Sequence, residues 1–436
     1  MLWQPSLPPR YLEMSDDEIA QAITARREQM GDDLLILGHH YQQDEVIRHA
    51  DLTGDSLKLS QMAAAESRQR GTKFIIFCGV HFMAETADIL TDEGVRVILP
   101  DLSAGCSMAD MADYDDAIQA WETISAAIHF SSAPGSAGAS RGETRPHSSR
   151  PPTEPGANGV RLIPITYVNS SAAIKAFVGA HGGSCCTSSN ARQVFEWALA
   201  GGDKKKGSDP FSEIRILFLP DQHLGRNTAS SFGFRTEVDE AAGLGETRTR
   251  IWNPRKENGG LTDEEIRKTN VFLWAGHCSV HKLFRPEHVD QVRAAYAEKG
   301  GITVLVHPEC CKEVVDQADL SGSTEYIIRQ VESAPEGSNW AVGTEVHLVN
   351  RLSREAAKRG VHVRILSDCQ CLCTTMYRID PQHLLWALDN LAEGKVVNEI
   401  RVNAQARELA RLALDRMMAN VAPVPAGRKP EPALVD

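Results

Sequence analysis

The chain alternates short apolar runs with helix-like stretches, and polar residues follow many of the runs. The runs LLILG, KFIIFC and VRVIL come first, LIPIT, IRILFL and VFLW follow, and ITVLV, NWAV and VHVRIL complete the series. Continuous apolar runs of about four to eight residues between helical segments are typical of parallel strands buried on both faces. The pattern therefore predicts an α/β fold in which one β-α-β unit of three strands occurs three times.

Three copies of this unit predict three αβα domains. A chain of 436 residues is also too long for one compact core, which agrees with several domains. We place the domains at 1–115, 116–281 and 282–375. The helices of 376–436 are expected to pack back on the first domain.

Two stretches interrupt the pattern. Residues 131–159 are rich in Ser, Gly and Pro, which predicts a disordered loop because there is little to bury. Residues from about 201 to 260 are polar and weakly periodic, so we expect them to be peripheral apart from the strand IRILFLP. The tail after about Val421 is expected to be mobile.

Composition and charge narrow the class of protein. Hydrophobic residues make up 42% and charged residues 24%, and the net charge of −12 argues against nucleic-acid binding, which needs a basic surface. The N-terminus lacks the layout of a signal peptide, and no apolar run is long enough to span a membrane, so we expect a cytoplasmic location. In that compartment the ten cysteines favour metal binding or catalysis over disulfides.

Cysteines follow the third strand of each copy. Cys106 and Cys278 occupy this position in the first two copies, and the third copy has three candidates in CQCLC, namely Cys369, Cys371 and Cys373. Ligands of open parallel sheets bind beyond the carboxyl ends of the strands. Three domains that face inward would therefore each supply one cysteine to a shared centre, although spacing alone does not choose within CQCLC.

Three converging thiolates suit zinc or an iron–sulfur cluster. A 4Fe–4S cluster normally has four cysteine ligands, so three would leave one iron with an open position that can act as a Lewis acid. Zinc with three cysteines and His281, from CSVH, is the competing assignment. Zinc sites usually contain C-x₂-C pairs, which Cys106 and Cys278 lack, so the spacing favours the cluster.

Two further sets of polar residues complete the candidate site. Hydroxyl-rich turns precede helices at Ser56, Ser188 and Thr324, where an N-cap is the ordinary role but a carboxylate or phosphate is also bound well. Titratable side chains and one amide follow the first strand of each copy in HHY, YVN and HPE, where proton transfer is possible. The latter set is His39, Tyr41, Tyr167, Asn169, His307 and Glu309.

Ten motifs together resemble the quinolinate synthase family of de novo NAD biosynthesis. They are GHHYQ, GDSLKLS, GVHFMAE, PDLSAGCSMA, YVNSSAAIKA, CCTSSNA, PDQHLGRN, GHCSVH, VHPEC and GSTEYI. The resemblance implies three αβα (Rossmann-like) domains in a triangular, pseudo-threefold arrangement around a 4Fe–4S cluster with one cysteine ligand per domain. It also implies condensation of iminoaspartate, supplied by L-aspartate oxidase or dehydrogenase, with dihydroxyacetone phosphate to give quinolinate.

The resemblance assigns residues motif by motif. The cluster ligands are Cys106, Cys278 and Cys373, because the family's third ligand stands three residues before a methionine, here Met376. Many relatives carry C-x-x-C upstream of that ligand, and the CQCLC spacing departs from this, so Cys369 and Cys371 stay unassigned.

The same resemblance gives the other site residues their roles. Tyr41 and Glu309 are implied to transfer protons, and we expect His39 and His307 to assist them. Substrate contacts are implied for His39, Ser56, Tyr167, Asn169, Ser188, His281, His307, Glu309 and Thr324.

Three rival functions share some of these features. An aconitase-like dehydratase would use the same open iron without forming a carbon–carbon bond. A non-catalytic iron–sulfur sensor would need a partner-binding or basic surface, which the sequence does not indicate. A zinc-stapled structural protein is disfavoured by the cysteine spacing.

Overall fold

Three mostly parallel β-sheets form the framework of the computed structural model of this chain. The structure describes residues 4–129, 159–203, 213–368 and 371–420. The loop expected at 131–159, except Gly159, lies outside the described residues, and so do Cys369 and the tail after Asn420.

The first sheet uses the first three apolar runs of the chain. Its strand β1 is buried along its whole length, as the unbroken apolar sequence predicts. The elements are α1 (Pro9–Glu13), α2 (Asp16–Met30), β1 (Leu34–His39), α3 (Asp44–Ile47), β2 (Leu52–Gly54), α4 (Ser56–Arg70), β3 (Phe74–Cys78), α5 (His81–Leu90) and β4 (Arg96–Ile98).

The second sheet contains five parallel strands. Its strand β5 is almost completely buried, and β7 is buried over its last five residues. The elements are α6 (Tyr114–His129), β5 (Val160–Tyr167), α7 (Ala172–Ala180), β6 (Ser184–Cys186), α8 (Ala191–Leu199), β7 (Glu213–Leu219), α9 (Gln222–Ser231), α10 (Glu237–Ala241), β8 (Thr249–Trp252), α11 (Asp263–Lys268), β9 (Val271–Trp274) and α12 (Pro286–Tyr296).

The third sheet is the smallest and is parallel throughout. The last elements of the chain then return to the other two sheets. The elements are β10 (Thr303–Val306), α13 (Lys312–Gln317), β11 (Leu320–Ser321), α14 (Thr324–Glu332), β12 (Asn339–Gly343), α15 (Val346–Ala357), β13 (His362–Ile365), α16 (Pro381–Ala392), β14 (Glu399–Ile400) and α17 (Ala404–Ala419).

The three sheets repeat one strand order. The sequences β2-β1-β3-β4, β6-β5-β7-β9 and β11-β10-β12-β13 are equivalent, and β8 and β14 extend the edges of two of the sheets. The α/β class and the threefold repetition predicted from the sequence are therefore confirmed. Each copy has at least one strand more than predicted, because β2, β6 and β11 are too short to show a hydrophobic pattern, and the second copy also contains β8.

The prediction for residues 201–260 is wrong over much of its range. Besides β7, this stretch supplies α9, with residues 224–229 buried, and the edge strand β8, in which Trp252 is buried. Its polar appearance has a physical explanation: α9 packs against the third domain, where buried side chains such as Asn227 are hydrogen-bonded to backbone carbonyl oxygens.

The C-terminal elements pack on two domains and not on the first alone. Helix α16 packs against α2, and β14 pairs antiparallel with β4, as expected. Helix α17 lies mainly against α7 and β6 of the second sheet, and it also contacts α5 of the first domain. Small residues permit this close approach, since Ala410 and Ala413 are fully buried and Gly179 faces the backbone of Leu409.

Alanine at Gly179 is expected to weaken the packing of α17 and to destabilise the protein by about 1–3 kcal/mol. A Cβ at Gly179 would lie 1.9 Å from the carbonyl oxygen of Leu409, and a helix backbone cannot yield locally. Chemical denaturation would measure the loss. Gly94→Ala is the matched control, because its Cβ would meet nothing within 4 Å. Equal stability of the two variants would contradict the packing of α17 on α7.

Candidate active site and metal centre

The carboxyl ends of strands from all three sheets meet at one cavity. It encloses about 690 Å³, with its open mouth included. All thirteen candidate residues of the sequence analysis line this cavity. They are His39, Tyr41, Ser56, Cys106, Tyr167, Asn169, Ser188, Cys278, His281, His307, Glu309, Thr324 and Cys373.

The three cysteines have equivalent local surroundings. A single turn of 3₁₀ helix begins three residues after each of them, at Ala109–Met111, His281–Leu283 and Met376–Arg378. Each sulfur accepts a hydrogen bond from the backbone N–H of the first residue of its turn. The pseudo-threefold repeat of the fold thus extends to the donors around each sulfur.

The tertiary structure separates Cys373 from Cys371. Cys373 lines the cavity, whereas Cys371 is fully buried in a hydrophobic cluster with Val280, Val304 and Leu366. Residues i and i+2 of an extended segment point to the same side, so the spacing of these two cysteines does not explain their different environments, which arise from tertiary packing. Within the described part of CQCLC, only Cys373 is in position to join Cys106 and Cys278.

The cysteine set is chemically suited to a metal group. Burial raises the pKa of the Cys106 thiol to about 12, and it also raises the pKa values of Cys278 and Cys373. Burial penalises the charged thiolate form. A metal cation offsets this penalty by stabilising the thiolates, and the backbone N–H groups favour the same charged form. The residues present therefore fit a metal bound by all three sulfurs.

Glu309 is the centre of a buried hydrogen-bond network. Its side chain contacts Nδ1 of His281 at 2.9 Å and is also hydrogen-bonded to the Tyr167 hydroxyl. Burial by itself would raise the pKa of Glu309, but the interactions with His281 and Tyr167 lower it below its usual value. Glu309 is therefore a carboxylate at neutral pH, able to accept a proton.

Two strand-end histidines have the same arrangement. Nδ1 of His39 accepts from the backbone N–H of Tyr41 at 3.1 Å, and Nδ1 of His307 accepts from that of Glu309 at 3.3 Å. Burial lowers the pKa of both histidines to about 3, so both rings are neutral. From these partners we assign the ring proton to Nε2, and in His307 this group donates to Ser188 Oγ at 3.2 Å.

Tyr41 contributes a phenol that is hydrogen-bonded to two threonine hydroxyls. Its Oη lies 3.2 Å from Thr324 Oγ1 and 3.0 Å from Thr344 Oγ1. Burial raises the pKa of Tyr41 well above its usual value. The phenol therefore keeps its proton at neutral pH and can act as a donor.

At the hydroxyl-rich turns, neighbouring residues cap the helices. The hydroxyl side chains therefore line the cavity and are not N-caps. Asp55 caps α4 through Lys58 N, and Ser323 caps α14 through Tyr326 N, so Ser56 and Thr324 are first residues of their helices and not caps. Ser188 lies in the turn before α8. Asn169 Oδ1 is buried without a hydrogen-bond partner among the described residues, which indicates a polar ligand.

Two carboxyl groups that were not predicted from the sequence hold the cysteine loops. Asp221 Oδ2 accepts from Cys278 N at 3.1 Å while Oδ1 caps α9, and Glu345 caps α15 and accepts from Cys373 N. Both follow the second long strand of their sheet. The signal was the repeat itself, since LPD and GTE occupy equivalent positions, although Val80 replaces the carboxyl group in the first copy.

These observations define the class of protein: an α/β protein in which three sheets surround one cavity, which is lined by buried acid–base side chains and by one cysteine from each domain that could bind a metal. No helix among the described residues is long and apolar enough to cross a membrane.

Comparison with known proteins gives the family. The sequence pattern of the quinolinate synthetase A protein family matches residues 21–419, and the chain belongs to this family. It is 49% identical to the quinolinate synthase of Acidobacterium capsulatum, with 94% of each chain covered. It is 46% identical to that of Rhodopirellula baltica, with 94% of this chain and 92% of the relative covered. For Streptomyces coelicolor the identity is 45%, with 93% and 89% covered.

Proposed function

We propose that this protein is a quinolinate synthase that condenses iminoaspartate with dihydroxyacetone phosphate to give quinolinate, phosphate and two waters. The observation that carries the proposal is one cavity that combines three cysteines, a buried carboxylate and several neutral hydrogen-bond donors. Family membership over residues 21–419 supports the same reaction. Because a carbon–carbon bond joins two substrates while phosphate leaves, the enzyme is a transferase.

The cysteine geometry favours a 4Fe–4S cluster over zinc. In a tetrahedral zinc site the sulfurs would be about 3.8 Å apart, given zinc–sulfur bonds of about 2.3 Å. Among the described residues, the group whose possible ligand atoms all lie within 4.8 Å is Cys278, His281 and Glu309, and not the three cysteines. Both ring nitrogens of His281 are already hydrogen-bonded, which makes that group a poor zinc site. A cluster, being several ångströms wide, spans the larger separation.

The residues opposite the cysteines are suited to a dicarboxylate and a phosphate. Nε2–H of His39 and of His307, the amide of Asn169 and the hydroxyls of Ser56, Ser188 and Thr324 are neutral donors that line the cavity. They bind anions without adding positive charge, at turns and helix starts where backbone N–H groups also point outward. Tyr167 and His281 complete the pocket through their hydrogen bonds to Glu309.

Glu309 is suited to accept a proton from the substrate, and Tyr41 is suited to donate one. The Glu309 carboxylate accepts a proton from the carbon next to the carbonyl of dihydroxyacetone phosphate, which promotes phosphate loss. The Tyr41 phenol donates a proton to a leaving oxygen, and His39 and His307 orient the substrate from their Nε2–H groups. When bound, a cluster with three cysteine ligands supplies one iron with an open position, which acts as a Lewis acid in dehydration.

We also propose a source for the substrate iminoaspartate and a location for the protein. Iminoaspartate is labile, so L-aspartate oxidase or dehydrogenase would supply it from aspartate. The nine cysteines among the described residues are all free thiols, which agrees with the reducing cytoplasm.

Quinolinate formation by anaerobically purified protein tests the function. The protein would receive dihydroxyacetone phosphate and freshly generated iminoaspartate, and quinolinate would be measured by chromatography. We expect turnover that disappears on exposure to air, because an exposed iron is oxidised. No turnover by protein with a full complement of iron and sulfide would contradict the proposal and favour the dehydratase or the sensor.

A further inference from the structure

One helix of each domain reaches across to the next domain. In each case it is the helix after the second long strand of its sheet, and it contacts the segment that follows the first strand of the neighbour. The helices are α5, α9 and α15, and the segments they contact follow β5, β10 and β1. The first domain therefore contacts the second, the second contacts the third, and the third contacts the first.

Arg351 of α15 binds the backbone on both sides of Tyr41. Its Nη1 donates to the carbonyl oxygen of Gln42 at 2.7 Å and to the carboxylate of Asp44 at 3.1 Å, and its Nη2 donates to the carbonyl oxygen of His40. A guanidinium group has several N–H donors in one rigid plane, and its charge strengthens each bond. A side chain of the third domain thus holds the backbone from which Tyr41 extends into the cavity.

Asn227 of α9 makes the equivalent contact around Glu309. Its Nδ2 donates to the carbonyl oxygen of Pro308 at 2.9 Å and to that of Cys310 at 3.0 Å. Asn227 is buried, and both hydrogens of its amide are used in these two bonds. A side chain of the second domain thus holds the backbone on both sides of a site residue of the third.

The contact made by α5 is of a different kind. Glu85 accepts from the backbone N–H of Ala172 at 2.9 Å, and Ala172 is the first residue of α7. This bond lies beyond the segment that carries Tyr167 and Asn169, so it does not flank a site residue. The two clamps that do so hold the two candidate proton-transfer residues.

The two clamped loops have the same internal structure. The carbonyl oxygen of His39 accepts from Gln42 N at 2.9 Å, and that of His307 accepts from Cys310 N at 3.0 Å. In both loops Nδ1 of the histidine accepts from the backbone N–H two residues later. Such bonds shape each turn but do not orient it relative to another domain. The bonds from α15 and α9 supply that orientation.

We propose that Arg351 and Asn227 are positioning residues that hold Tyr41 and Glu309, each from a neighbouring domain, in the orientation that proton transfer requires. Neither side chain lines the cavity, so both act through the loops and not on the substrate. The effect on turnover rests on the proposed function. The effect on the loops is independent of the reaction and can be measured without substrate.

The first test compares Arg351→Met with Arg354→Met, in protein loaded to the same iron and sulfide content. Both arginines lie on α15 and bind Asp44, but the carbonyl oxygens of the Tyr41 loop are bound by Arg351. We expect Arg351→Met to lower kcat by about 10- to 100-fold, with KM for both substrates changed less than about threefold. Arg354→Met should keep kcat within about threefold. Equal losses would show that only the ion pair with Asp44 matters and would overturn the inference.

Hydrogen exchange followed by mass spectrometry tests the same variants without substrate. Arg351→Met should speed exchange in the peptide that contains the amides of Tyr41 and Gln42 by at least about fivefold, because the clamped turn opens more often. Peptides of the second domain should exchange as in the wild type, which distinguishes a local change from general destabilisation. Unchanged exchange at this loop in Arg351→Met would overturn the inference.

The second test compares Asn227→Leu with Thr228→Val on α9. Both residues are buried, but Thr228 donates to the carbonyl oxygen of Leu224 within its own helix. Asn227→Leu should lower kcat by about 10- to 100-fold and speed exchange around Glu309, and Thr228→Val should do neither. Normal turnover of Asn227→Leu in an active protein would overturn the inference alone. An inactive wild type would overturn the proposed function, and the exchange measurements would then decide whether the clamps hold the loops.

Discussion

Replacing Glu309 with glutamine is expected to lower turnover by about 10²- to 10⁴-fold while the iron and sulfide content stays unchanged. The substitution keeps the size of the side chain and an acceptor oxygen for Nδ1 of His281, which lies 2.9 Å away. It removes the charge, so the group can no longer take a proton from the substrate. Because the pKa of Glu309 is lowered below its usual value, the carboxylate form is present throughout the neutral range and its loss should be felt at every working pH.

The measurement is single-turnover and steady-state quinolinate formation, with iron and sulfide determined on the same samples. Glu332→Gln is a suitable control, because this exposed carboxylate at the end of α14 is remote from the buried network. Near-normal turnover of Glu309→Gln would show that another residue is the base. Loss of the metal from this variant would show instead that Glu309 supports the metal site.

Alanine at Cys373 is expected to abolish metal binding and activity, whereas alanine at Cys371 should preserve both. Cys373 lines the cavity and accepts the backbone N–H of Met376, in the same way as Cys106 and Cys278 accept those of Ala109 and His281. Cys371 lies in a hydrophobic cluster and acts there as a small apolar residue. Its loss should cost only about 1 kcal/mol of stability.

Iron and sulfide per chain, together with quinolinate formation, distinguish the two cysteine variants. Cys106→Ala and Cys278→Ala should behave like Cys373→Ala, which gives a matched series across the three domains. Retention of a full metal content by Cys373→Ala, or its loss from Cys371→Ala, would show that the third ligand has been assigned to the wrong cysteine.

Prediction from the sequence succeeded where the apolar runs were uninterrupted and occurred in repeated units. Nine strands were visible because runs such as LLILG and LIPIT are apolar without interruption, and the rule for parallel sheets then placed the site at their carboxyl ends. It failed for β2, β6 and β11, which have two or three residues each. It also failed for the region of α9 and β8, where polar residues such as Asn227 are buried by contacts with another domain.

The amino-acid sequence by itself determined the α/β class, the threefold repeat, the family and the residue types of the candidate site, because these depend on local hydrophobic pattern and on motifs. Only the tertiary structure decided that Cys373 and not Cys371 faces the cavity, that α17 packs on the second domain, and that Asp221 and Glu345 hold the cysteine loops. It also brought α9 and α15 to the site loops of neighbouring domains. Such contacts join residues far apart in the chain, and their geometry depends on how whole domains pack, which no local pattern encodes.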